Sequence, residues 1–269
     1  MVIDVDKCTG CGACSVACMS ENNVGVLEDE TEKIRSITWL RVYQIDNGKA
    51  FPETEVAFFP RPCMHCQGGA SGSPGQAFFQ EDTDPQEAHT PCVSVCPAIA
   101  TDYDDATGIV SQITSRCIGC RYCVAACPYH ARYFNWYDVP WPQGTPRGLS
   151  PFVSPRMRGV VEKCTFCYPR LQRAKNKAFL GGGKVGEMDY QTACTEACPS
   201  GAITFGQLQN PAHKVHKLIQ SEFAFRLLEK MGTNPKVYYM SKRKWVRMMA
   251  DNHLSQAKAT QAAASGGHK

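Results

Sequence analysis

All sixteen cysteines of this 269-residue chain fall into four copies of one spacing, which leaves little freedom in what the chain can build. Two copies are tight: Cys8, Cys11, Cys14, Cys18 and Cys117, Cys120, Cys123, Cys127 both read Cys-x2-Cys-x2-Cys-x3-Cys. The other two, Cys63, Cys66, Cys92, Cys96 and Cys164, Cys167, Cys194, Cys198, carry an insertion between the second and third cysteines. Pro97, Pro128 and Pro199 each follow a final cysteine. Tight and inserted copies alternate, as duplication of a two-motif unit would produce.

Three chemistries use many cysteines. Disulfide scaffolds are usually short secreted domains, and their cysteines need not repeat one pattern. Zinc suits isolated Cys-x2-Cys pairs such as Cys63/Cys66 and Cys164/Cys167, so a structural zinc-binding adaptor, which would be colourless, stays open at this point. The tight runs point instead to cubane iron–sulfur clusters. Two-residue gaps let the backbone wrap a core with its amides near the sulfurs, while the x3 step carries the fourth thiolate onto a helix facing a second cluster. Thiolates are the soft ligands that such a core needs at its corners. No cysteine is left over, so cysteine usage says nothing of the redox compartment.

The formal charge of +4 misleads if clusters are bound. Sixteen thiolates and four oxidised cores of +2 each bring it to about −4, which removes the basic balance as an argument for nucleic-acid binding. Lys7, Arg61, Arg116, Arg121, Arg132 and Lys163 lie beside the motifs, either offsetting cluster charge or simply solvated. The N-terminus, Met1-Val2-Ile3-Asp4-Val5-Asp6-Lys7, has acids where a signal peptide needs an apolar run, and no window reaches the roughly 18 apolar residues of a membrane span. The expectation is a chain soluble by itself or docked onto something that is not.

Between the motifs the pattern predicts short elements. Residues 2–6 read as a strand, residues 15–22 as the helix carrying Cys18, and 38–45 with 55–59 as a hairpin around Asp46-Asn47-Gly48. Residues 99–103 and 109–113 form a second hairpin around residues 104–108. The insertion 67–91 reads as a flexible surface loop, and 133–155, rich in aromatics and proline, as a non-helical cover or an interface surface. Residues 170–177 form a basic helix, 201–205 a strand, and 217–231 an amphipathic helix closed by Gly232 and Pro235. From Ser241 the chain reads as a basic, solvated tail, with docking to a partner or an anionic membrane as the alternative, and residues 262–269 as disordered.

Catalytic signatures are missing. Gln67 follows Cys66, so there is no Cys-x2-Cys-His haem attachment; there is no dinucleotide fingerprint and no convincing nucleophile–base set. Gly181-Gly182-Gly183-Lys184 is not a phosphate loop, because Val185 stands where Ser or Thr is required and no strand leads in. His65 reads as a structural loop histidine, with hydrogen bonding to a cluster as the alternative.

The motifs in order, together with Cys-Met-Ser-Glu-Asn-Asn (18–23), Cys92-Val93-Ser94-Val95-Cys96-Pro97, Cys127-Pro128-Tyr129, Glu162-Lys163-Cys164-Thr165-Phe166-Cys167 and Gly232-Thr233-Asn234-Pro235-Lys236-Val237-Tyr238-Tyr239, carry a resemblance. The chain resembles the four-cluster electron-transfer subunit of the complex iron–sulfur molybdoenzyme family, which includes dimethyl sulfoxide, polysulfide and nitrate reductases and formate dehydrogenase. Arg158-Gly159-Val160 looks most like the branch in alternative complex III and the menaquinone reductase complex of sulfate reducers. The resemblance implies nested pairing. Cys8, Cys11, Cys14 and Cys198 would hold one cluster and Cys164, Cys167, Cys194 and Cys18 a second. Cys63, Cys66, Cys92 and Cys127 would hold a third, and Cys117, Cys120, Cys123 and Cys96 a fourth. All would be [4Fe-4S], although one could be [3Fe-4S].

The implied fold is α+β, two bacterial-ferredoxin-like units related by pseudo-symmetry. Residues 1–60 with 160–210 form the outer unit and 61–135 the inner; 136–159 is a connector and 211–269 a C-terminal helix and tail. The implied role is a non-catalytic wire relaying single electrons between a molybdopterin-type or multihaem catalytic subunit and an integral, quinone-reactive membrane subunit. The place would be a peripheral membrane complex at the outer, periplasmic face, exported with a partner, with the cytoplasmic face as the alternative. A free-standing soluble polyferredoxin shuttle is the rival reading, and size exclusion of native extract separates the two.

Overall fold

The computed structural model describes residues 1–25, 37–68, 90–139, 141 and 143–250. In chain order they form β1 (Val2–Asp4), α1 (Ala13–Glu21), β2 (Arg41–Asp46), β3 (Val56–Arg61), α2 (Pro91–Ser94), β4 (Thr101–Asp104) and β5 (Ile109–Gln112). Then come α3 (Tyr122–Ala126), β6 (Tyr133–Phe134), β7 (Val161–Glu162), α4 (Tyr168–Leu180), α5 (Ala193–Glu196), β8 (Ile203–Thr204), α6 (Lys214–Ile219), β9 (Ala224–Phe225) and β10 (Tyr238–Met240). These small strands and helices make a mixed α/β body.

A four-stranded sheet in the order β8-β1-β10-β9 joins the two ends of the described chain. β1 runs parallel to β10 and antiparallel to β8. Ile3, Ile203 and Tyr239 are buried in it, in one apolar core with Trp39, Leu40 and seven of the cysteines. A smaller core joins Cys92, Val110, Cys123 and Val161. Both expected hairpins form, β2 with β3 and β4 with β5. In the second, Asp104 closes the turn, its carboxylate accepting from Ala106 N at 3.0 Å and Thr107 Oγ1 at 2.6 Å.

Two local devices repeat at the cysteines. The residue before the second cysteine of every motif is left-handed: Gly10 (φ 73°), His65 (44°), Gly119 (72°) and Phe166 (52°). That bend turns successive thiols toward a common centre. Glycine takes it without strain, whereas His65 and Phe166 hold it while buried and stacked on each other, rings 3.7 Å apart. After each Cys-Pro, the third residue past the cysteine is also left-handed: Ile99, His130 and Gly201. Each returns its N–H to the cysteine carbonyl, at 3.3, 3.2 and 3.2 Å. Ile99 therefore belongs to this turn, and the strand expected from residue 99 begins at Thr101.

The connector is a cover with an exposed outer side. Asn23, just past Cys18, donates to the carbonyls of Ser150 and Val153 and accepts from Ser150 N at 2.8 Å. Arg156 pairs with buried Glu162 at 3.0 Å, and Glu162 also accepts from Trp39 Nε1 and Asn135 Nδ2. Phe152 and Met157 face outward.

Two expectations need correction. Residues 217–231 are not one helix: α6 ends at Ile219, β9 pairs with β10, and Glu229–Met231 is a single 3-10 turn. Leu218, Phe223, Leu227 and Leu228 follow a helical period, but sheet pairing of Ala224 and Phe225 and the left-handed Leu228 (φ 52°) override it. The segment after Ser241 is not free in solvent either. Residues 244–250 are helical, Val246 is fully buried, and Arg243 donates to Asp6 at 2.8 Å. Most of the 67–91 loop and all of 262–269 lie outside the described residues.

Candidate metal centres

The cysteines gather into four groups. Cys8, Cys11, Cys14 and Cys198 ring one recess, the first group, with Gly10 and Pro199 in its wall. Cys18 meets Cys164, Cys167 and Cys194 in the second. Cys66 meets Cys63, Cys92 and Cys127 in the third. Cys96, Cys117, Cys120 and Cys123 ring another recess, the fourth. The groups are strung in that order: Cys14 lies beside Cys194, Cys164 beside Cys63, and Cys92 beside Cys123. Cys11 and Cys120 are exposed, at the two ends, whereas all eight cysteines of the second and third groups are buried.

The donor sets fit polynuclear cores. Among the described residues no three His, Cys, Asp or Glu side chains converge on a point that could hold a single ion. Tetrahedral zinc would draw its sulfurs to within about 4 Å of each other, whereas the thiols of the first and fourth groups stand around recesses, as ligands on the corners of a larger core do. Their sulfurs also face donors. Ala100 N reaches Cys96 Sγ at 3.2 Å, Ala202 N reaches Cys198 at 3.3 Å, and Val161 N, Phe166 N and Ala193 N reach Cys117, Cys164 and Cys167 at 3.4 to 3.5 Å. Such bonds favour thiolate over thiol.

Burial works against them. It pushes Cys14 up to about 11 and Cys194 to about 12, and raises Cys18, Cys66 and Cys164 as well. Cys96 and Cys198 differ. Burial raises them too, but backbone donors outweigh it at Cys96, and Ser200 with backbone donors does so at Cys198, holding both below the usual thiol value. The buried thiols therefore need a bound cation to stay ionised, and iron supplies that charge.

Other side chains brace the groups. Arg170, at the start of α4, holds both carboxylate oxygens of Glu21 at 2.8 Å and Glu196 at 2.5 Å, tying together segments that follow Cys18, Cys167 and Cys194. Hydrogen bonding to Arg170 keeps Glu21 below the ordinary carboxylate range. Of the six cations noted beside the motifs, Lys7, Arg116 and Arg121 are exposed, while Lys163 and Arg132 are buried. Lys163 Nζ donates to the carbonyls of Val110 and of Cys164, the latter at 2.7 Å. His65 is fully buried; its Nδ1 accepts from Val110 N at 3.0 Å, and burial, followed by the charge of Lys163, keeps it neutral. Nothing in the linear order distinguishes these buried groups from solvated ones.

Comparison with known proteins agrees with this chemistry. A 4Fe-4S dicluster domain matches residues 7–100 and again 116–202, and an LdpA Fe-S cluster-binding domain matches 84–133. The chain is 54% identical over 261 residues to the menaquinone reductase iron–sulfur cluster-binding subunit of Nitratidesulfovibrio vulgaris, covering 96% of this chain and 94% of that one. It is 33% identical over 256 residues to an Hdr-like menaquinol oxidoreductase iron–sulfur subunit of Archaeoglobus fulgidus, covering 89% and 81%. To the arsenate respiratory reductase iron–sulfur subunit of a Shewanella species it is 30% identical over 268 residues, covering 89% and 94%. The chain belongs to the ferredoxin-like family of iron–sulfur electron-transfer subunits that serve the complex iron–sulfur molybdoenzymes and related respiratory reductases.

Proposed function

We propose that the chain is a linear electron wire, with the four cysteine groups as the ligand sets of four [4Fe-4S] clusters. One observation carries the reading: the groups are strung in series, and exposed cysteines occur only in the first and last. When bound, the clusters carry the electrons one at a time. The chain's residues hold them in order, keep water from the middle pair and set their potentials through charge, N–H···S bonds and burial. Nested pairing, with the first and fourth motifs in one unit and the second and third in another, accounts for both the alternation of the motifs and the grouping of the sulfurs.

The chain works as a subunit. Its partners are a catalytic subunit, molybdopterin-type or multihaem, at one end and a quinone-reactive membrane subunit at the other, and the relatives named for menaquinone or menaquinol oxidoreductases support the quinone link. Among the described residues no helix is long and apolar enough to cross a membrane, so attachment is peripheral, through the partner, and we place it on the outer face. Exposed Ile118 and Tyr122 flank Cys120, which suits docking at that end.

The test is iron and acid-labile sulfide on anaerobically purified native complex, with EPR during a redox titration. About sixteen irons per chain and spin-coupled signals on reduction are expected. Zinc in place of iron, with no visible absorbance, would remove the reading. Reduction of all four centres by a menaquinol analogue in sealed vesicles would establish the quinone link, and the side on which the subunit is open to protease would establish the face.

A further inference from the structure

Arg132 stands where the third and fourth groups meet. It is 3% exposed, and its guanidinium lies against Cys92 of one group and Cys123 of the other. One edge is fixed, with Nη1 donating to Gln112 Oε1 at 2.7 Å and Thr101 Oγ1 at 3.2 Å. Nε and Nη2 are buried with no oxygen or nitrogen acceptor and face the sulfurs of Cys92 and Cys123, and among the described residues no carboxylate pairs with Arg132 in a salt bridge. A buried guanidinium needs negative charge beside it, and with no carboxylate paired to it the groups that supply this are the sulfurs of Cys92 and Cys123. Lys163 is the contrasting case: it is equally buried, but its ammonium is engaged by two carbonyl oxygens.

We propose that Arg132 is a positioning residue shared by two clusters, its fixed charge and its sulfur-facing Nε and Nη2 donors stabilising the reduced forms of the third and fourth and raising both potentials together. The inference rests on the ligand sets proposed above. Each reduction adds one electron, delivered by the neighbouring centre or by a chemical reductant such as dithionite, and so one negative charge. Arg132 stays protonated throughout, so it compensates that charge without proton uptake of its own. The planar fork is what lets one residue serve two sulfur groups, since a lysine ammonium is a point charge.

The experiment is an EPR-monitored dithionite titration of the holo-subunit in its native complex, comparing wild type with Arg132→Gln and Gln112→Glu. The second variant leaves Arg132 in place and sets a carboxylate on its anchored edge. In Arg132→Gln two of the four midpoint potentials are expected to fall, each by about tenfold in the reduction equilibrium, equivalent to about 59 mV for one electron. The other two hold, with the iron content unchanged. Gln112→Glu lowers the same two by less. Four unmoved potentials, or four that move equally, overturn the proposal. If Arg132→Gln loses iron, Gln112→Glu decides, and loss of iron from both assigns Arg132 a purely structural role and overturns it. Wild-type protein with zinc or without four reducible centres would instead overturn the four-cluster reading, so the two failures are distinct.

Discussion

At Gly119 the carbonyl oxygen of Gly159 stands where a Cβ would have to go, and φ is +72°. Space and backbone therefore both demand glycine, and the same holds at Gly10, where a Cβ would come within 2.5 Å of the Phe58 ring. Gly119→Ala is expected to open the fourth group, lowering iron from about sixteen to about twelve per chain and removing one reducible centre; iron analysis with EPR checks this. The cysteines were legible in the sequence because cluster geometry dictates their spacing locally, whereas the demand for glycine at 10 and 119 comes from Phe58 and Gly159, far along the chain. His65 and Phe166 occupy the same backbone position without being glycine, and they are held there buried and stacked on each other. The burial of Arg132 and Lys163 was not legible, because the walls around them come from β4, β5 and the start of motif four, far apart in sequence.

Among the elements, hairpins were readable and the C-terminal region was not. Residues 46–48 and 104–108 carry their own turn chemistry, whereas 217–231 has a helical period that loses to pairing with β10, about fifteen residues downstream. The connector's hold on the body rests on a buried ion pair, with Arg156 on one side and Glu162 on the other. Burial raises the Glu162 carboxyl and Arg156 offsets it. Arg156→Met strands that carboxylate and should cost about 3–5 kcal/mol, read as a lower unfolding midpoint and faster proteolysis within 144–159. Replacing both partners by methionine should recover much of the loss. At the other end Asp6 anchors the helical segment 244–250. Burial raises its carboxyl, but Lys242 N, Ser241 and Arg243 outweigh that and hold it below 3.8. A depressed carboxylate contributes fully above its unfolded value and loses that contribution only as pH falls through the folded one. Asp6→Asn should therefore speed amide exchange in 244–250 by up to about fivefold, the effect of roughly 1 kcal/mol for a part-exposed pair, and equally at pH 6 and pH 8. A ratio that differs between the two would contradict this.

Across the whole molecule, accessibility divides the four groups into an outer and an inner pair. Cys11 and Cys120 are open to solvent, while the second and third groups are sealed. A chelator under mild oxidation should therefore remove iron in two phases, about eight irons quickly and about eight only as the body unfolds. A single phase would contradict the serial arrangement. The sheet that seats β1 between β8 and β10 carries a further consequence, for how the protein is made. The first strand and the first three cysteines leave the ribosome long before their neighbours at Cys198 and residues 203–204 and 238–240. Cys63 to Cys127, by contrast, are all available before Cys164 has been made. On the ligand sets proposed above, the third and fourth groups can thus take up iron before the first and second, and the first motif must wait for Cys198 and the strands that flank β1.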